Sequence, residues 1–270
     1  MAKTVLVTGA SAGIGKATAI FLAQNGYQVY GAARRTENMQ DLKVYGIKPV
    51  ALDLTKEETI TACVDQILHQ AGRIDILINN AGFGSEGAIE DLPIQDARYQ
   101  MEVNVFGAMR LTQLVLPNMR QNRSGKIVNI SSVGGKIALP LGGWYHASKF
   151  AMEALSDSMR MEVKPFGIDV IVIEPGGINS EWGEIAMESL VRVSGSSAYQ
   201  DMVKGAQKSY QRTENNNSEP IVIAKLIKRA IEANQPKTRY AGGSMAKLLL
   251  FFRSTLPDRM MDRLILSQTK

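Results

Sequence analysis

The 270-residue sequence has one cysteine, Cys63, and two histidines, His69 and His146. A lone cysteine excludes an intrachain disulfide and any cysteine-based zinc site. No grouping of histidine with carboxylates suggests a metal, and none is expected. Long apolar runs are also missing. The longest strongly apolar run, residues 248–252, falls far short of the ~20 residues needed to span a bilayer. The first residues show no basic stretch, extended apolar core or small-residue cleavage site. The chain instead enters a strand-like run at Thr4, which predicts no secretory leader and a cytoplasmic protein. Internal repeats and low-complexity linkers are absent as well.

What is present is ordinary for a globular chain: 45% hydrophobic and 21% charged residues, enough for a sizeable core. One α/β domain can reach ~250 residues, so residues 1–270 are read as a single domain. The net charge of +5 is unevenly placed. Residues 236–270 hold seven basic and two acidic side chains, and the remaining 235 are balanced. A nucleic-acid-binding face on the body is therefore not expected. The basic tail, residues 243–270, also carries an apolar stripe that includes Leu248, Phe251, Phe252, Met260 and Leu264. It is read as a helix pair packed on the body or on a partner subunit. Binding at an anionic membrane surface is the alternative. Pro257 favours two short pieces over one interfacial helix.

Along the chain, short apolar runs alternate with helical patterns. Strands are expected at 3–8, 27–33, 48–52, 74–79, 126–131, 168–173 and 238–240. Helices are expected at 14–25, 55–71, 93–121 (with a break), 144–165 and 219–233. This alternation predicts βαβ units with right-handed crossovers. The expected fold is an α/β doubly wound Rossmann sandwich, a mostly parallel seven-stranded sheet with helices on both faces. Residues 177–217 break the rhythm. They read as a polar, irregular segment after a strand end, where ligand-covering lids sit.

The first strand runs into Thr8-Gly-Ala-Ser-Ala-Gly-Ile-Gly15, followed by a helix. Gly9 permits a tight turn, while Gly13 and Gly15 let backbone approach a pyrophosphate at the helix N-terminus. The spacing is G-x-x-x-G-x-G rather than G-x-G-x-x-G. At the end of the second strand, where an NAD site needs a carboxylate for the ribose hydroxyls, the chain reads Ala33-Arg34-Arg35. Guanidinium groups can hold a 2′-phosphate bidentately, so NADP(H) is expected over NAD(H).

Three more motifs follow in order: Asn79-Asn80-Ala81-Gly82, Ser132, and Tyr145-x-x-x-Lys149 at a helix start. Each is common alone; together, after the glycine turn, they are specific. The chain resembles the short-chain dehydrogenase/reductase family from about residue 3 to 180, with pattern similarity to hydroxysteroid- and retinol-dehydrogenase-like carbonyl reductases. The resemblance implies roles for individual residues. Tyr145 would be the acid/base, Lys149 the residue that lowers its pKa and bonds the nicotinamide ribose, Ser132 the substrate-oxygen donor, and Asn104 part of a proton relay. The implied cofactor set is Gly9, Ser11, Gly13, Ile14, Gly15, Arg34, Arg35, Asp53, Leu54, Asn80, Ala81, Gly82, Tyr145, Lys149, Pro175, Gly176, Ile178 and Ser180. Ser180 stands where the family commonly has threonine. Ala12 stands where some NADP enzymes carry a basic residue.

The chemistry is consistent. Tyr145 and Lys149 are i and i+4 on one helical face. Lowering a phenol by ~3 units takes about 4 kcal/mol. An ammonium at ~4 Å supplies about that much at an effective dielectric of 20. The expected pocket is apolar, with Phe83, Ile137, Leu139, Leu141, Trp144, Trp182, Ile185 and Met187 and no arginine clamp. That favours a lipophilic carbonyl or alcohol substrate. His146 is read as packing, about 100° around the helix from Tyr145. The family pattern implies a homodimer or homotetramer through the 93–121 and 144–165 helices. Two alternatives remain open. One is an NADPH-binding regulator or scaffold without turnover. The other is a sugar-nucleotide epimerase, disfavoured by the glycine spacing and the lack of a large C-terminal domain.

Overall fold

The computed structural model describes residues 2–267. Seven strands form one sheet in the order β3-β2-β1-β4-β5-β6-β7, and every pairing is parallel. They are β1 Thr4–Thr8, β2 Gln28–Ala33, β3 Lys48–Ala51, β4 Ile76–Asn79, β5 Gly125–Ile130, β6 Ile168–Pro175 and β7 Arg239–Gly242. The central strands are short, unbroken apolar runs; every residue of β1 and β4 is buried. This is what a strand covered on both faces requires.

The helices are α1 Gly13–Gln24, α2 Glu57–Ala71, α3 Ile94–Met101, α4 Ala108–Gln121, α5 Gly143–Val163, α6 Glu181–Ser194, α7 Gln200–Thr213, α8 Ile221–Glu232, α9 Ala246–Thr255 and α10 Asp258–Ser267. On one face, Leu22 of α1 and Ile223, Ile227 and Ile231 of α8 pack against Val5, Ile78 and Ile171. On the other, Ile60 and Ile67 of α2, Leu111 and Val115 of α4 and Met159 of α5 cover Leu6, Leu77 and Ile127. Each such fully buried side chain contributes about 1.5–3 kcal/mol of transfer free energy. The strand order reverses between β1 and β4, so a crevice opens beyond their C-terminal ends, at Thr8 and Asn79.

Three segments differ from the sequence reading. Residues 34–47 received no element, yet Thr36–Tyr45 forms 3-10 turns that bury Met39 and Leu42. The expected break in the 93–121 helix is a π-helical stretch, Glu102–Gly107, joining α3 to α4 without interruption. The π turn brings Asn104 inward, and Gly107 allows the close approach, since a Cβ there would lie 2.2 Å from the Leu54 carbonyl. Residues 177–217 are not irregular: they contain α6 and α7. Ala186, Leu190 and Val203 are buried among polar neighbours, and Leu190 and Val203 pack with Ala88 and Leu141 into a small core of their own. These apolar positions are too sparse to stand out as periodicity.

The tail does form two short helices, separated at Pro257. Leu248, Phe251 and Met260 remain exposed, and the tail's last three positions, 268–270, lie outside the described residues. No helix among the described residues is long and apolar enough to cross a membrane. Arg239 of β7 ties the sheet edge to α5, at 2.9 Å from Glu153 and 2.7 Å from Asp157. Lys136 adds a second contact to Glu153 at 2.8 Å. The sheet edge is thereby braced against the helix that carries Tyr145 and Lys149.

Candidate active site

The glycine turn is shaped by backbone demands. Gly9 and Gly13 adopt φ of +67° and +52°, the left-handed region that favours glycine. A Cβ on Gly15 would lie 2.2 Å from the Gly9 carbonyl. Ala12 caps α1 without a side-chain bond, leaving first-turn N–H groups for an anion. The turn is pinned from β4. The Asn80 side chain donates to the Thr8 carbonyl at 2.8 Å, and the backbone N–H groups of Asn80 and Ala81 donate to Thr8 Oγ1 at 3.0 Å. Asn80 thus acts by holding the phosphate turn, and Thr8, absent from the sequence-derived set, is its anchor. Ser11 lies within the same turn, and Ile14 packs into the core beneath it.

Arg34 and Arg35 leave β2 exposed, and Arg34 Nη1 donates to the Tyr99 hydroxyl at 3.0 Å. Neither arginine has a carboxylate partner within salt-bridge distance among the described residues. One Asp53 oxygen accepts from the Thr55 amide and hydroxyl, at 3.0 and 2.8 Å. Leu54 is buried against the π stretch. Beyond β6, Gly176 N–H bonds Gly242 O at 2.9 Å, and a Cβ on Gly176 would meet the Ser244 carbonyl at 2.1 Å. Pro175 ends β6, and Ile178 bridges to Ser218. Ser180 caps α6 in extended conformation without spending its hydroxyl on the helix, and its Cβ lies 3.4 Å from a Cβ built on Gly13. The donors, bare helix end and guanidinium groups without a carboxylate in salt-bridge range all fit a nicotinamide dinucleotide.

Four side chains meet beside this cradle. Asn104 Oδ1 accepts from Phe83 N–H at 3.0 Å, while Nδ2 donates to Phe83 O at 2.9 Å and Ser148 Oγ at 3.0 Å. Gly82 lies between Asn104 and Lys149: its Cβ would be 3.0 Å from Asn104 Oδ1 and 3.7 Å from Lys149 Nζ. Ser132 follows β5, and its Oγ accepts from Gly134 N–H at 3.0 Å. His146, buried, bonds the Gly134 carbonyl through Nδ1 at 3.0 Å, and its ring meets Tyr145 edge-on at 5.6 Å. It therefore supports the Ser132 loop as well as packing, which its position one residue after Tyr145 does not disclose.

The electrostatics depart from expectation. Burial pushes the Tyr145 phenol up to about 12; its bond with Ser132 works against this and the Glu86 charge adds to it. Burial also brings Lys149 down to about 8, opposed by Glu153. Lys149 Nζ lies 5.8 Å from the Tyr145 ring centroid and donates to Ile130 O at 2.9 Å. Trp182 packs on Tyr145 with ring centroids 4.9 Å apart, which deepens the burial. The surroundings of Tyr145 are also less apolar than expected, because the Glu86 charge acts on the phenol. Leu139 and Ile185 are about half exposed.

Residues 3–189 match the family described as short chain dehydrogenase. The chain belongs to the short-chain dehydrogenase/reductase family. A 3-ketodihydrosphingosine reductase of Bacteroides thetaiotaomicron is 36% identical, over 96% of this chain and 94% of its own. A solved short-chain dehydrogenase from Streptomyces avermitilis shares the fold with a TM-score of 0.83 at 34% identity, covering 97% of this chain and 94% of that one. A serine dehydrogenase solved with NADP+ has a TM-score of 0.78 at 25% identity, covering 90% of this chain and 95% of that one. This short-chain dehydrogenase/reductase is accordingly an oxidoreductase that uses NAD(P).

Proposed function

We propose that the protein is an NADP(H)-dependent oxidoreductase that interconverts a lipophilic ketone or aldehyde and its alcohol, with Tyr145 as acid/base. The observation that carries this reading is the meeting of Tyr145, Ser132, Lys149 and Asn104 beside a glycine turn whose neighbouring arginines lack carboxylate partners. When bound, reduced nicotinamide supplies the hydride for the carbonyl carbon. Tyr145 gives its phenolic proton to the carbonyl oxygen. Ser132 donates a hydrogen bond to that oxygen as it gains charge. Lys149, held by Ile130 O, places a cation on the phenol's cofactor side. Asn104 fixes the Phe83 backbone on which this side of the pocket rests.

Arg34 and Arg35 would take a 2′-phosphate; charge-assisted bonds of about 1.5–3 kcal/mol give a preference of tens to hundreds of fold. The apolar walls around Tyr145, including Trp182 and Leu141, support a lipophilic substrate, with α6 and α7 as its cover. The named substrate of the Bacteroides relative, a keto compound, agrees with the carbonyl chemistry. Phe106, Phe150, Leu155 and Met161 are exposed on the α4 and α5 side, supporting association of copies through these helices.

The test is NADPH oxidation across a panel of apolar ketones, aldehydes and short keto acids, with NADPH and NADH affinities measured alongside. Turnover of apolar carbonyls with tighter NADPH binding is expected. Tighter NADH binding would remove the cofactor assignment, and preference for keto acids would remove the substrate class.

A further inference from the structure

We propose that Glu86 is a counter-ion for substrate, and that the protein prefers carbonyl compounds bearing an ammonium group near the reacting carbon: amino ketones, or amino alcohols in reverse. This rests on the reductase reading above. Glu86 lies in the loop between β4 and α3, and its backbone is fixed from two sides. Its carbonyl accepts from Ser189 Oγ of α6 at 3.2 Å, and Gly87 N–H donates to Leu141 O at 2.7 Å. The next residue is held too, as Ala88 N–H donates to Ser194 Oγ at 2.9 Å. The loop carrying the carboxylate is therefore set in place by the substrate-side helix rather than left to sweep through solvent.

The carboxylate lies beside the start of the helix that carries Tyr145. Its Oε1 lies 3.8 Å from the Cβ that a side chain at Gly142 would have; His146 Nε2 lies 2.9 Å from the same point. Its charge acts on the Tyr145 phenol. Yet Glu86 has no cationic partner within salt-bridge distance among the described residues. Burial lowers the pKa of His146 and favours its neutral form, against the opposing effect of its bond to the Gly134 carbonyl. Lys149 is committed to Ile130 O, and Arg192 reaches only Ser189 Oγ, at 3.5 Å. A half-buried carboxylate without a cation is costly, and burial alone pushes this one up to about 7.

A ligand ammonium placed there would supply the missing partner and hold Glu86 ionised. It would also offset the field that raises the Tyr145 pKa. Trp182 on the Tyr145 ring and Leu141 against Gly87 are apolar, so the favoured molecule joins a hydrocarbon chain to a cationic head at the carbonyl end. In the reaction the ketone gains a hydride on carbon and a proton on oxygen; the ammonium passes through unchanged.

The test compares dodecan-3-one with 2-aminododecan-3-one near pH 7, using wild type and Glu86→Gln. The quantity read is the ratio of kcat/KM for the two ketones. Wild type is expected to favour the amino ketone by at least about tenfold, and the substitution to erase that preference. An equal ratio in both proteins overturns the inference and leaves the reductase reading standing. If neither ketone oxidises NADPH in wild type, the reductase reading fails and takes the inference with it. A binding measurement needs neither turnover nor the variant. Trp144 and Trp182 are the only tryptophans, so their fluorescence can be titrated with dodecylammonium and with dodecanol. Dodecylammonium binding at least about tenfold tighter is expected; equal binding, or tighter dodecanol, overturns the inference.

Discussion

The two sides of Tyr145 are built by different means. On the cofactor side, position is set by backbone. Gly9, Gly13 and Gly15 take conformations or contacts that a Cβ would not tolerate, and Thr8 and Asn80 lock them through hydrogen bonds between β1 and β4. On the substrate side, position is set by side-chain packing. Trp182 lies on Tyr145, Leu190 and Val203 form a small separate core, and Glu86 stands without a cation. The first arrangement rests in the large core beneath the sheet, where a shift of one residue would break several strand pairings. The second rests on a few contacts from α6 and α7, which makes it the natural place for substrate specificity to vary and for motion to occur.

Substitutions should divide along that line. Tyr145→Phe removes the phenol proposed as proton donor, which both sides share. It is expected to cut turnover about a thousandfold while leaving NADPH titration intact; residual activity near wild type would dismiss Tyr145 as the acid. Lys149 gives the next effect, through pH. Its amine loses its proton near pH 8, so the reductive kcat/KM should fall above about pH 8, while Tyr145 stays protonated to about 12. A profile flat to pH 10 would show that the charge of Lys149 is not used.

Gly15→Ala tests the backbone side. The added methyl meets the Gly9 carbonyl, and overpacking of this kind costs about 1–3 kcal/mol. A lower Tm and weaker NADPH binding are expected together; an unchanged Tm would mean that the turn yields easily. Trp182→Ala tests the other side. Loss of an aromatic pair worth about 0.5–1.5 kcal/mol should raise KM a few-fold, with NADPH affinity moving much less. Equal changes in both would erase the distinction between the two sides.

The smallest effect lies at the sheet edge. Asp157 is held down at about 2, chiefly by its hydrogen bond to Arg239 and further by Arg160. Its folded pKa lies below the unfolded value of about 3.9, so the contribution is complete above about pH 4. It is lost as pH falls toward 2. The side chain is more than a third exposed, so screening keeps the effect small. Asp157→Asn should flatten the dependence of Tm on pH between about 4 and 2; an unaltered slope would show that the bridge contributes nothing.

Much of the first side was legible from residues alone. All seven strands were located, the five inner ones because a buried parallel strand must be a short apolar run. The glycine turn was legible because only glycine meets its steric demands, and Tyr145 with Lys149 through the family resemblance that the motifs carry together. Three features escaped. The π stretch at Asn104 has no compositional mark. The 177–217 helices hide a sparse apolar stripe among polar residues. Glu86, four residues past Gly82, resembles any loop glutamate.

Strand sequence, glycine placement and the Tyr145–Lys149 interval are local properties, governed by steric and periodic rules that act within a few residues, and they carry the fold and the reaction class. The pKa shifts of Tyr145 and Lys149, the burial under Trp182 and the unpartnered state of Glu86 came only with the folded molecule. Desolvation and charge pairing depend on which distant segments converge: here α6 holds the Glu86 backbone through Ser189 and covers the Tyr145 ring with Trp182, while Leu141 fixes Gly87 from another part of the chain.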